Sequence, residues 1–111
     1  MKIIISESRL NYIVKKFMMD RLGSFGNELS KFRRNLGYIG SFYTSEGEKT
    51  AEVHMDRFEI DVDLYNLMED MFVVGRNYLE FEKIILDIIN EIFPEYNIKA
   101  LRKVSYHRPP F

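Results

Sequence analysis

The chain contains no cysteine and no tryptophan, and only three prolines, six glycines and two histidines among its 111 residues. The missing cysteine excludes disulfides, thiol catalysis and thiolate metal sites, and it fits a reducing compartment. The few glycines form no phosphate-cradling loop: Gly23 and Gly26 stand apart, and no Gly-Lys-Ser/Thr follows a strand. There is no Gly-x-Ser-x-Gly elbow to hold a nucleophilic serine. Long apolar runs are absent too. The opening Ile3-Ile4-Ile5 stops at Ser6-Glu7, too short for a signal segment or a membrane span. The expectation is an intracellular soluble protein, or one packaged into an assembly, with no membrane partner.

What is present describes a globular chain. Nine Phe and seven Tyr accompany 46% hydrophobic and 30% charged residues, a balance that folds instead of remaining disordered. A chain of this length buries roughly two-thirds of its unfolded surface, enough for one core. We read one domain over residues 1–111, with a stiff extended tail at about 107–111. The net charge of −1 hides an uneven distribution. Residues 1–38 carry eight Lys/Arg against three Asp/Glu, residues 39–98 carry four against fourteen, and residues 99–111 carry four against none. Basic ends therefore flank an acidic middle.

Periodicity divides the chain into elements. Lys2–Ile5 reads as a short strand, with Ser6 as an N-cap. Leu10, Ile13, Val14, Phe17 and Met18 then form the apolar stripe of a helix ending near Leu22-Gly23. Residues 23–27 read as a loop, and 28–36 as a short helix or a basic loop. From Tyr38 to Val62 the period falls to two, giving a meander of strands near 38–44, 49–55 and 58–62, with the first turn at Glu46-Gly47. This register pairs Met55 with Phe58, Val53 with Ile60, Ala51 with Val62, His54 with Glu59 and Glu52 with Asp61. Asp63 is expected to cap a helix with the stripe Leu64, Leu67, Met68, Met71 and Phe72. Asn77 and Glu80 suit a capping box before a third helix, striped by Phe81, Ile84, Ile85, Ile88, Ile89 and Ile92 and stopped by Pro94. Ile98–Tyr106 reads as a final strand. The order β-α-β-β-β-α-α-β is α+β: a mainly antiparallel sheet of four to five strands with three helices.

Three surfaces are candidates for function. Glu52, Glu59 and Asp61 line one strand face, where residues two apart lie about 6.5–7 Å from each other. With His54 they could hold Mg²⁺ or Mn²⁺ for hydrolysis, or form only a solvated acidic surface. Facing Glu52 and Asp61 creates a like-charge pair, so something positive must stand nearby: Lys49, a metal, a basic partner, or Arg102 or Lys103 on an adjacent final strand, which is the expected source. Lys31, Arg33 and Arg34, with Arg102, Lys103 and Arg108, form a candidate basic surface for nucleic acid. Tyr106, Pro109, Pro110 and Phe111 suit a docking tail that loses little entropy on binding.

Residues 1–10 (Met-Lys-Ile-Ile-Ile-Ser-Glu-Ser-Arg-Leu) and 58–72 (Phe-Glu-Ile-Asp-Val-Asp-Leu-Tyr-Asn-Leu-Met-Glu-Asp-Met-Phe) resemble small accessory proteins of tailed bacteriophages, especially marine ones. The resemblance covers most of the chain except residues 23–37. It implies an acidic strand, two amphipathic helices and a short last strand, and it brings no activity and no functional residue. The combined expectation is a non-enzymatic accessory protein without a cofactor or resident metal. It would bind a host or virion protein, with nucleic acid or a second copy of the chain as other partners. The alternatives are a nucleic-acid-associated protein and a metal-dependent hydrolase on the acidic strand.

Overall fold

The computed structural model of the protein describes residues 7–26, 37–72 and 78–106. Its elements run α1 (Glu7–Leu22), β1 (Ser24–Gly26), β2 (Tyr38–Tyr43), β3 (Lys49–His54), β4 (Arg57–Asp61), α2 (Val62–Phe72), α3 (Tyr78–Ile92) and β5 (Ala100–Val104). The fold is α+β, as the periodicity predicts, with one five-stranded sheet in the spatial order β1-β2-β3-β4-β5. β1 to β4 pair antiparallel, whereas β5 joins β4 in parallel. The parallel pairing follows from the connection: β4 leads into α2, and the chain returns through α3 before it re-enters the sheet. The expected strand at Lys2–Ile5, Asn77 of the capping box, the basic residues Lys31, Arg33 and Arg34, and the tail residues Arg108, Pro109, Pro110 and Phe111 lie outside the described residues.

The helices bury apolar stripes against one another and the sheet. Val14, Met18 and Leu22 of α1, Tyr65 and Met68 of α2, and Phe81, Ile85, Ile88 and Ile89 of α3 join Phe42, Ala51, Val53, Phe58 and Ile60 in one core. Each fully buried apolar side chain contributes about 1.5–3 kcal/mol. In α2 the stripe is rotated from its expected position. Tyr65 is buried, while Leu67 and Met71 are 41% and 49% exposed. α1 ends where Gly23 takes φ +88°. A Cβ at Gly23 would lie 2.1 Å from the Tyr43 carbonyl oxygen, so the close approach requires glycine as much as the dihedral does. At the other end of the chain, Asn90 grips the loop into β5. It donates to the Ile98 carbonyl at 2.8 Å and accepts from the Ile98 amide at 2.8 Å.

Two sequence expectations need correction. Residues 24–26 are a strand, not a loop, paired with 41–43. Phe25 packs on Phe42 and Phe93 with ring centroids 5.1 and 5.0 Å away. It fits because Gly40 has no side chain; a Cβ there would lie 2.4 Å from the Phe25 ring. The β3–β4 register is also shifted by two residues. Ala51 faces Ile60, Glu52 faces Glu59, and Val53 faces Phe58. A shift of two preserves the faces and changes every partner, so Met55 leaves the core for the turn and is 54% exposed.

Candidate functional site

The helix-free face of the sheet carries Tyr38, Ser41, Lys49, Glu52, His54, Arg57, Glu59 and Asp61. Simple alternation cannot place them all there. Lys49 and Glu52 are three apart, as are Tyr38 and Ser41, and residues three apart on a regular strand point to opposite faces. Two β-bulges resolve the conflict. In β3 Thr50 is the extra residue, because Lys49 pairs with Tyr43 and Ala51 with Phe42. In β2 the extra residue is Ile39, because Tyr38 pairs with His54 and Gly40 with Val53. Each bulge reverses the alternation once. Lys49 Nζ then reaches Glu52 Oε2 at 2.7 Å, and the Tyr38 and Ser41 hydroxyls hydrogen-bond. The displaced Thr50 hydroxyl donates to the Leu22 carbonyl at 2.7 Å, satisfying the end of α1.

The observed register sets Glu52 directly opposite Glu59, a like-charge pair that is unfavourable by itself. The chain supplies the compensation locally. Lys49 holds Glu52 from one side, while His54 Nε2 lies 3.0 Å from Glu52 Oε1 and 3.8 Å from Glu59 Oε2. Arg57 Nε donates to Glu59 Oε2 at 2.7 Å. Both glutamate side chains are only 13% exposed. Burial pushes the Glu52 carboxyl up, but hydrogen bonds from Lys49 and His54 and their charges outweigh it and hold the group below the ordinary carboxylate value. Tyr106 leans over the same cluster. Its ring lies 5.7 Å from Lys49 Nζ, and its hydroxyl donates to the Glu59 carbonyl at 3.5 Å. Burial, followed by the charges of Glu52, Glu59 and Asp61, drives the Tyr106 hydroxyl strongly upward, so it stays protonated.

Asp61 has a different task from the one expected. Its Oδ2 accepts from the Leu64 amide at 3.2 Å, so Asp61, not Asp63, caps α2. Asp63 sits in the first turn. The expected cations do not reach Asp61. β5 does lie beside β4, but Lys103 turns to the helices, 3.6 Å from Glu82 and 4.6 Å from the Tyr65 ring centroid. Arg102 is exposed, in register with Glu59, and forms no ion pair among the described residues. The candidate acidic surface is therefore an inward, charge-compensated network. Its cations are Lys49, one of the sources the sequence offers, and Arg57, which sequence reasoning missed; both sit near the acids along their own strands. The bulge is what brings Lys49 to the face of Glu52.

A second surface lies along α1. Tyr12 is 64% exposed, and Ile13, Phe17 and Met19 are half-buried beside it. Lys15, Lys16 and Asp20 complete the rim of this open groove. Lys15 is engaged with Glu91 at 2.9 Å, and the Arg21 guanidinium lies 5.1 Å from the Phe17 ring centroid.

Among the described residues, no helix is long and apolar enough to cross a membrane. No protein-family model, no curated protein and no solved structure matches this chain.

Proposed function

We propose that the protein is a non-catalytic binding module that docks an acidic protein partner on the outer face of α1. The observation that carries this reading is the open groove of Tyr12, Ile13, Phe17 and Met19, rimmed by Lys15, Lys16 and Asp20. Lys15 is paired with Glu91, so Lys16 is the exposed cation of that rim, and a cation beside apolar side chains suits an acidic, partly apolar surface. The resemblance to tailed-phage accessory proteins favours a host or virion protein as the partner, with the protein acting in the host cytoplasm or within the virion.

The experiment is cross-linking in infected cells with wild-type protein and the Tyr12→Glu, Lys16→Glu double variant. Both positions are exposed, so the variant should melt within a few degrees of wild type. Loss of a specific acidic cross-linked protein in the variant is the expected result. An unchanged cross-link pattern overturns the docking face. So does a concentration-dependent dimer abolished by the variant, which would assign the groove to a second copy of the chain.

A further inference from the structure

We propose that Glu52, His54 and Glu59 form a binding site for one divalent ion of the zinc class. The ligand set is one imidazole nitrogen and two carboxylate oxygens, all within 4.8 Å of one another. Zinc bonds such atoms at about 2.0–2.2 Å, which gives a tetrahedron with edges of about 3.3–3.6 Å. The distances from His54 Nε2 to Glu52 Oε1 and Glu59 Oε2, 3.0 and 3.8 Å, bracket that edge. Small side-chain adjustments would close the site without moving the strands. The imidazole favours zinc over the harder Mg²⁺, which takes oxygen ligands.

A separate observation stands beside the cluster. Asp61 is 6% exposed, and its Oδ1 has no hydrogen-bond partner among the described residues. Asp61 lies two residues beyond Glu59, and its charge bears on the same Tyr106 hydroxyl as those of Glu52 and Glu59. A buried carboxylate oxygen without a donor calls for an ion or an ordered water beside it. An ion at the cluster, or water bound to it, would answer that need.

Lys49 and Arg57 take the role of outer partners. Lys49 occupies Glu52 Oε2 and leaves Oε1 for the ion. Arg57 Nε takes one lone pair of Glu59 Oε2, and the carboxylate keeps further lone pairs free. Hydrogen bonds of this kind fix the orientation of ligating carboxylates. The ion takes the place of the proton between His54 Nε2 and Glu52 Oε1. The ring is then left with its proton on Nδ1, and water completes the fourth position.

Isothermal titration of the full chain with zinc chloride tests the site. One ion should bind, with affinity at least about tenfold weaker in His54→Ala and in the near-isosteric Glu59→Gln. His107→Ala, which removes the chain's other histidine, should leave it unchanged. Circular dichroism of each variant shows whether it is folded, and zinc should raise the melting temperature of wild type but not of folded Glu59→Gln. Absence of binding in wild type overturns the proposal. Binding indifferent to His54→Ala, or lost in His107→Ala, overturns it as well.

Discussion

The two faces of the sheet reach similar burial by opposite means. On the helix side Ala51, Val53, Phe58 and Ile60 are fully buried and apolar. On the other side Ser41, His54 and Asp61 are also buried, and Glu52 and Glu59 nearly so, yet all are polar. The first face is stabilised by area removed from water and tolerates any apolar shape that fills the space. The second face requires each charge to meet its partner, because an unpaired buried charge costs more than the pair contributes. Burial on this sheet therefore does not identify the core; chemistry does.

Substitutions on both faces test that contrast. The largest effect should come from Phe58→Ala, which empties a fully buried aromatic site. Chemical denaturation should show a loss of about 3–5 kcal/mol. On the polar face, Glu52→Ala strands Lys49 and His54 and should cost about 1–3 kcal/mol. Removing the pair together, as Lys49→Met with Glu52→Leu, should recover most of that loss. The same glutamate sets an acid dependence. Its folded-state pKa lies below the unfolded value, so its stabilisation is present above the ordinary carboxylate value and disappears as pH falls through the folded value. Denaturation midpoints of wild type should therefore drop more steeply with acid than those of Glu52→Gln; parallel curves would remove Glu52 from the account. The smallest effect distinguishes two aspartates. Asp61→Ala should lose about 1 kcal/mol of cap energy, whereas Asp63→Ala should stay within about 0.5 kcal/mol of wild type. Equal losses would contradict the assignment of Asp61 as the cap.

Much of this architecture is legible in the residue pattern, and the exceptions have particular causes. The stripe from Phe81 to Ile89 is so regular that only one helix face fits it. Glu46-Gly47 announces its turn, and Gly47 indeed takes φ +84°. The sheet register was harder to read. Alternation fixes which face a residue occupies, but a two-residue slip leaves alternation intact, and only the tight turn at Met55-Asp56 decides between the two. Strand β1 carries too little periodicity in three residues to announce itself, and its one signal is the bare backbone of Gly40 beneath the Phe25 ring. The polar cluster was half legible. Glu52, His54 and Glu59 alternate visibly, whereas Lys49 sits at the wrong parity until Thr50 is recognised as a bulge.

That bulge also limits how the strands can move. If Thr50 entered the regular ladder, Lys49 would turn toward the apolar side and Glu52 would face Glu59 without its closest cation. Straightening β2 at Ile39 would likewise separate the Tyr38 and Ser41 hydroxyls. The irregular residues thus act as stops. Removing the β3 bulge breaks the Lys49–Glu52 ion pair within that strand, and removing the β2 bulge breaks the Tyr38–Ser41 hydrogen bond within its own, so the most irregular part of the sheet is the part that holds its shape.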